Sequence, residues 1–138
     1  MQQPIVISGA GILGCYISCA LSLQGIDSIV LEKKDDEVED SVRTITLNPF
    51  SKNLLDKIGI ENDYSMINKM EVKDFDGTGK IVFKSSEIGM DHLAYVSDFA
   101  ALLMAVRKKA SEKILYKEEI IDIDNKGDLN KVTLSSGK

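Results

Sequence analysis

The sequence predicts an α/β fold in which a compact β-α-β unit comes first and an antiparallel β-hairpin region follows. Two apolar runs, PIVIS over residues 4–8 and SIVLE over residues 28–32, have the uninterrupted hydrophobic character of strands buried in a parallel sheet. A helical segment over residues 12–24 lies between them, and Gly25 is suited to end it as a left-handed C-cap. From Lys69 onward the hydrophobic period changes to two, which is typical of a β-hairpin.

The segment VRTITL predicts an extended strand, and the following segment NPFSKNLLDKIGI predicts a well-delimited helix. Asn48 is suited to cap that helix, and Pro49 fits its first position. Phe50, Leu54 and Ile58 recur at helical spacing, so we expect them to form the face that packs into the core.

The rest of the chain reads as strand, helix and hairpin. The segment KMEVKDFDGTGKIVFKS predicts a hairpin that turns at residues 76–79. A short strand HLAYVS precedes the helix SDFAALLMAVRKKAS, for which Ser97 or Asp98 is the expected cap. The C-terminal segment predicts one short strand and then two strands around a turn at residues 125–127.

Composition excludes several classes of protein. A chain of 138 residues is one ordinary domain, and its net charge of −5 argues against a nucleic-acid surface. No apolar run reaches the ~18 residues that a membrane span needs. Cys15 and Cys19 share one face of the first helix, so we expect two reduced core thiols in a cytoplasmic protein.

The segment DIDNKGD and the single histidine predict neither a metal site nor a catalytic group. The segment DIDNKGD resembles the start of a calcium loop, but Lys126 and Thr133 occupy positions that need ligands. His92 is the single histidine, and no cysteine or serine has an evident histidine partner. We therefore assign no catalytic residue and expect no metal.

A glycine-rich loop joins the first strand to the first helix. Gly9, Gly11 and Gly14 form the pattern G-x-G-x-x-G directly after a predicted strand and at the start of a helix. Gly9 permits the tight turn, Gly11 lets a pyrophosphate approach the backbone, and Gly14 lets the helix pack closely on the strand. The alternative is a tight turn that binds no ligand.

An acid completes this pattern. The N–H groups near Ile12 and Leu13 face the phosphate position with the helix dipole behind them. Glu32 ends the second strand, where its carboxylate can accept hydrogen bonds from ribose hydroxyls and would repel a 2′-phosphate. These residues favour an ADP-containing cofactor other than NADP, and the motif alone does not separate FAD from NAD.

The downstream residues resemble the flavin-dependent aromatic hydroxylases. In that family an arginine in an R-x-x-x-L stretch precedes a helix ending L-x-x-x-G, and Arg43, Leu47, Leu55 and Gly59 fit this pattern. The segments MEVKDFDGTGKIVF, LAYVSDFAALLMAV and KVTLSSGK resemble the hairpin, strand-helix and strand pair that follow. The nearest resemblance is to the ubiquinone-biosynthesis hydroxylases, relatives of para-hydroxybenzoate hydroxylase, and it extends over nearly the whole chain.

This resemblance implies a Rossmann-like FAD-binding β-α-β unit with an inserted or appended antiparallel hairpin region. It implies that FAD is reduced by NAD(P)H, reacts with oxygen and hydroxylates a phenolic ring. Arg43 would serve the flavin side, although a surface salt bridge with the acidic loop DDEVED is the alternative for it. Lys33 could neutralise a phosphate or belong to a solvated loop. The expected cofactor-binding residues are Gly9, Ala10, Gly11, Ile12, Leu13, Gly14, Glu32, Lys33, Arg43 and Ile120, the last near the adenine.

Two departures from the family pattern shape the functional hypothesis. Phe99 and Ala100 stand where the family has a polar residue near the flavin, and the second FAD motif, G-A-D-G, does not occur in the sequence. We therefore expect residues 1–138 to be an incomplete N-terminal FAD-binding segment, inactive alone, cytoplasmic or peripheral to the inner membrane in a biosynthetic complex. An aromatic substrate would bind only if the missing portion completed the segment. The expected protein partners are a second copy of the chain, through self-association, or a complementing C-terminal chain. The alternatives are a stand-alone FAD, NAD or ADP module without redox activity and a structural remnant of a truncated gene.

Overall fold

The structure is a computed structural model that describes residues 3–38, 42–125, 127 and 129–137. The chain divides into two compact units. The first unit contains Met1–Asp40 and Leu103–Lys138, and the second contains Ser41–Leu102. In sequence, the second unit is thus inserted into the first, in agreement with the α/β fold and inserted antiparallel region that the sequence predicts.

The predicted elements are present, and one strand is additional. The strands in the described residues are β1 Ile5–Ser8, β2 Ser28–Glu32, β3 Thr44–Leu47, β4 Ser65–Ile67, β5 Lys69–Lys73, β6 Lys80–Lys84, β7 Ala94–Asp98, β8 Ile114–Tyr116, β9 Ile120–Asp124 and β10 Lys131–Leu134. The helices are α1 Ile12–Leu23, α2 Pro49–Lys57 and α3 Phe99–Lys109, with 3₁₀ turns at Ser85–Ile88 and Ser111–Lys113. The strand that the sequence did not predict is β4, which is only three residues long and has no alternating pattern.

A parallel sheet in the order β1-β2-β8 forms the base of the first unit. The central strand is β2, and its Ser28, Val30 and Leu31 are at most 2% exposed. This burial on both faces explains the apolar run SIVLE. The hairpin β9–β10 pairs separately and antiparallel, as predicted, although Lys126 in its turn lies outside the described residues.

The first strand differs from the sequence-based expectation. PIVIS reads as a fully buried strand, but Ile5 is 45% and Val6 36% exposed. The physical reason is the position of β1 at one edge of the sheet, where β2 is its only pairing partner among the described strands. An apolar run therefore predicts strand character correctly and does not predict the number of neighbours.

Helix α1 packs on the sheet through one face. Its buried residues are Cys15, Ser18 and Cys19, and the Ser18 Oγ lies 2.9 Å from the Ser28 Oγ of β2. Both cysteines are free and buried, as the prediction of core thiols requires. Burial raises the pKa of the Cys15 thiol to about 11, so the thiol is protonated at neutral pH. Gly25 follows the helix at φ +71°, in the left-handed conformation predicted for it.

The second unit contains an antiparallel sheet in the order β3-β7-β4 and the separate hairpin β5–β6. Helix α2 begins as predicted, because the Asn48 Oδ1 accepts a 2.7 Å hydrogen bond from the Ser51 N–H. Its predicted core face is wrong in part: Phe50 is 72% exposed, whereas Leu55 and Ile58 are at most 5% exposed. The helical stripe is rotated because Leu55, one residue after Leu54, takes the inward position.

Helix α3 begins at Phe99 after the cap Asp98, whose Oδ1 accepts a 2.8 Å hydrogen bond from the Ala101 N–H. The boundary between the units falls inside this helix, after Leu102, so its last turns belong to the first unit. In the described part of the chain, no helix is long and apolar enough to cross a membrane.

Candidate cofactor-binding site

The glycine loop is fixed at both ends by contacts that require glycine. Gly9 has φ +101°, a conformation that other residues rarely adopt, and its N–H continues the β1–β2 ladder with a 2.7 Å hydrogen bond to the Leu31 carbonyl. A Cβ on Gly14 would collide with the backbone oxygen of Gly9. Two of the three glycines therefore serve the close passage from β1 into α1, as the motif predicts.

The third glycine has no such structural requirement. Gly11 lies at φ −76° and ψ 179°, which any residue can adopt, and a Cβ built on it meets no heavy atom within 4 Å. The fold of this unit thus gives no reason for glycine at this position. The open space beside its backbone is what a phosphate needs for close approach, and a side chain would fill it.

The first turn of α1 supplies hydrogen-bond donors at the same place. The N–H groups of Ile12, Leu13 and Gly14 have no partner within the helix, because the first groups of any α-helix lack one. Gly11 is the N-cap and has no side chain to accept from them, and the first turn contains no acidic residue. The positive end of the helix dipole is therefore available to an anion.

Glu32 is held at the end of β2 beside this turn. Its Oε2 accepts a 3.0 Å hydrogen bond from the Ala10 N–H, and its Oε1 accepts a 3.1 Å bond from the Lys34 N–H. The side chain is 13% exposed. The structure thus brings the predicted acid and the predicted loop into direct contact, with the carboxylate in one defined orientation.

One residue of this arrangement was not predicted. The Arg107 Nε donates a 2.9 Å hydrogen bond to the Ala10 carbonyl, and its Nη2 lies 3.6 Å from the Glu32 Oε2. Arg107 belongs to α3, 97 residues from the loop in sequence. The sequence offers one weak signal: Arg107 is one of two arginines in a chain whose other cations are lysines, and arginine is the residue favoured for partly buried ion pairs.

The remaining predicted site residues lie in different places. Lys33 follows Glu32 and is exposed, and Ile120 begins β9 in the same unit. Arg43 belongs to the second unit, where its guanidinium carbon is 4.3 Å from the ring centroid of Phe99 and its carbonyl accepts from the Phe99 N–H. Glu39 and Asp40, two acids of the alternative partner loop, lie outside the described residues.

A parallel β-α-β unit with a glycine loop, an open helix N-terminus and an acid at the end of the second strand is the architecture of dinucleotide-binding proteins. Residues 2–123 match the family model described as FAD binding domain. The chain therefore belongs to the FAD binding domain family, and its cofactor is FAD.

Solved structures of similar fold include a monooxygenase and a protein complexed with FAD. A p-nitrophenol 4-monooxygenase, PnpA from Pseudomonas putida, matches with a TM-score of 0.78 and 16% identity over 96% of this chain and 36% of its own. PqsL from P. aeruginosa in complex with 2-aminobenzoylacetate matches with a TM-score of 0.79 and 20% identity over 98% and 39%. HpxO from Klebsiella pneumoniae, complexed with FAD and uric acid, matches with a TM-score of 0.75 and 18% identity over 99% and 36%. The chain thus spans 36 to 39% of the length of these proteins.

The residues of the first unit fit the ADP half of FAD. The space beside Gly11 and the open donors of α1 suit a pyrophosphate, whose two negative charges the helix end would stabilise. Arg107 adds a buried Nη1 that has no hydrogen-bond partner among the described residues. A buried donor without a partner is costly, so the Nη1 needs an acceptor that the described residues do not supply, and a water or a polar ligand would provide one.

Proposed function

We propose that residues 1–138 form the N-terminal FAD-binding segment of a flavin-dependent monooxygenase that hydroxylates an aromatic ring. The observation that carries this proposal is the glycine loop with its open position at Gly11 and its acid at Glu32. The resemblance of residues 43–59 to the aromatic hydroxylases supports the reaction class. The similar fold of a p-nitrophenol 4-monooxygenase supports it as well.

In this function the first unit binds and orients the ADP half of the cofactor. The glycine loop and the N–H groups of Ile12 and Leu13 donate to the pyrophosphate, and Glu32 accepts from the ribose hydroxyls. When bound, FAD supplies the redox chemistry, with NAD(P)H as the electron donor and molecular oxygen as the oxidant. The protein's contribution is to hold the flavin in one place and to keep its charged half neutralised.

Arg43 is proposed to serve the flavin side of the cofactor. Its planar guanidinium carries a fork of N–H donors that can bind two acceptor oxygens of the flavin half at once. The ring of Phe99, 4.3 Å away, restrains the guanidinium from one face. Phe99 occupies the position of the family's polar residue, and its proposed role is to orient Arg43 without contacting the flavin. Ile120 is proposed to lie near the adenine, and Lys33 to neutralise a phosphate from the exposed end of the loop.

The proposed substrate class is a phenolic ring of the type hydroxylated in ubiquinone biosynthesis. The resemblance of residues 43–59, 70–83 and 93–106 to those hydroxylases supports it. Two proteins of similar fold are named with ring-containing molecules, 2-aminobenzoylacetate and uric acid. We place the reaction in the cytoplasm and expect it only when a complementing portion completes the segment.

Cofactor binding is tested by titrating the purified chain with FAD, FMN and ADP. We expect binding of FAD and ADP and no measurable binding of FMN, because the first unit recognises the ADP half, which FMN lacks. Calorimetry that shows no heat with FAD or ADP at millimolar concentration would contradict the proposal.

The reaction class is tested in a mixture of the chain, FAD, NADH or NADPH and a panel of phenols under ¹⁸O₂. We expect one ¹⁸O atom in the product when a portion carrying the G-A-D-G motif is added in trans, and none with the chain alone. If the chain binds FAD tightly but the mixture that includes the added portion transfers no oxygen, the function is that of a nucleotide-binding module without redox activity.

A further inference from the structure

Arg107 closes a ring of contacts around the peptide group of Ala10. The Ala10 carbonyl accepts from the Arg107 Nε at 2.9 Å, and the Ala10 N–H donates to the Glu32 Oε2 at 3.0 Å. The ring is completed by the 3.6 Å approach of the Arg107 Nη2 to the same Oε2. Both polar groups of the middle residue of the glycine loop are therefore held by charged side chains.

The contacts among Arg107, Ala10 and Glu32 are shielded from water on several sides. The side chains of Arg107 and Glu32 are 12% and 13% exposed, and Ala10 is fully buried. The ring centroid of Tyr116 in β8 lies 5.7 Å from the Arg107 guanidinium carbon, and Tyr116 pairs with Glu32 in the sheet register. Low solvent access strengthens these interactions and limits the positions that the guanidinium can take.

Stability alone does not explain an arginine here. Burying a charged side chain has a desolvation cost that a single pair at 3.6 Å does not clearly repay, and the buried Nη1 has no partner among the described residues. An apolar residue would avoid that cost but would leave the Ala10 carbonyl without its side-chain donor and Glu32 without its counter-charge, so the fold accounts for the Nε and Nη2 contacts and not for the buried Nη1. The buried Nη1 is the part of Arg107 that the described residues do not satisfy, and an acceptor on a ligand would satisfy it.

We propose that Arg107 is a positioning residue for FAD. It holds the Ala10 peptide and the Glu32 carboxylate in the orientation that receives the pyrophosphate and the ribose. It also compensates the negative charge of Glu32, which would otherwise face the two negative charges of the pyrophosphate. The inference rests on FAD binding by the first unit and concerns the ADP half of the cofactor.

The test compares Arg107→Met with Lys108→Met, which removes an exposed charge from the same helix. We expect Arg107→Met to raise the dissociation constants for FAD and for ADP by about tenfold or more, the size of one lost charged hydrogen bond, and Lys108→Met to leave both unchanged. Arg107→Lys should give an intermediate value, because an ammonium keeps the charge and loses the fork geometry. Equal dissociation constants for wild type and Arg107→Met would overturn the proposal.

A double-variant cycle separates positioning from a general loss of structure. In the Glu32→Gln background we expect the effect of Arg107→Met to shrink to about threefold, because the charge that Arg107 compensates is absent. An undiminished effect would overturn the charge-compensating role. Should Arg107→Met fold poorly, the same cycle with Arg107→Lys carries the test.

Amide hydrogen exchange of the ligand-free protein gives a readout that does not depend on FAD. We expect faster exchange of the hydrogen-bonded N–H groups of Gly9 and Ala10 in Arg107→Met than in Lys108→Met, with unchanged exchange in β10. Hydrogen exchange together with ligand titration separates the two proposals. A wild type whose loop N–H groups exchange slowly and that binds ADP but not FAD would contradict the proposed function. The role of Arg107 in holding the Ala10 peptide would still stand. Identical exchange in the two variants would overturn the positioning role.

Discussion

The residues proposed for the ADP half of FAD and those proposed for its flavin half are held in different ways. On the ADP side, Gly9, Ala10, Glu32 and Arg107 belong to one unit and are joined by hydrogen bonds and an ion pair. On the flavin side, Arg43 belongs to the other unit, is exposed and has an aromatic ring against its guanidinium. The first side is ordered before any ligand binds, so it should determine affinity, whereas the second should distinguish FAD from ADP.

The strongest test of the preordered side uses two glycines of the same motif. Gly11→Val should abolish FAD and ADP binding, because its side chain enters open space that the pyrophosphate needs, and should lower the free energy of unfolding only by the cost of a poor N-cap, about 1 kcal/mol. Gly14→Ala should instead destabilise the protein by ~1–3 kcal/mol or more, because its Cβ meets the backbone of Gly9. Chemical denaturation and calorimetry measure both quantities. Equal loss of stability in the two variants would remove the distinction between a ligand-related and a fold-related glycine.

The acid on the same side should have the next largest effect. Glu32→Ala should weaken FAD binding by ~1–3 kcal/mol, the cost of a lost hydrogen bond to a charged group. Glu32→Gln is the matched control, since it keeps the shape and one acceptor oxygen and should lose less. Titration of FAD and ADP gives the values, and an unchanged dissociation constant for Glu32→Ala would show that the carboxylate does not contact the ribose.

The same contrast explains how much the sequence could predict. The ADP side follows from a local pattern, in which strand, glycines, helix and acid lie within residues 4–32, so its residues could be named from spacing alone. Arg107 comes from a helix 97 residues away from Ala10 and has no motif, so only the fold brings it to the loop. Strand β4 is too short for a periodic signal, and Phe50 was assigned inward because a helical stripe fixes spacing and leaves the rotation of the helix open.

The flavin side should respond more weakly and more selectively. Arg43→Ala should raise the dissociation constant for FAD by about tenfold and leave that for ADP unchanged, because its proposed partner is absent from ADP. Phe99→Leu should give a smaller loss, since it removes only the stacking that restrains the guanidinium. Parallel titrations with the two ligands separate these effects. An equal rise of the dissociation constants for FAD and ADP would show that Arg43 contacts the ADP half of the cofactor and does not distinguish FAD from ADP.

The smallest effect is expected at the exposed edge of the parallel sheet, which borders the ordered side. Strand β1 pairs only with β2 among the described strands and exposes Ile5 and Val6, and such an edge favours pairing with another strand. We expect the purified chain to associate reversibly at high concentration, and Val6→Lys to weaken that association by about threefold, the order of one cross-strand contact. Leu129→Lys, which changes an exposed apolar residue outside the sheet, should not. Sedimentation velocity over a concentration series measures this. A chain that stays monomeric at every concentration, or equal effects of the two variants, would show that the edge of β1 takes no part in association.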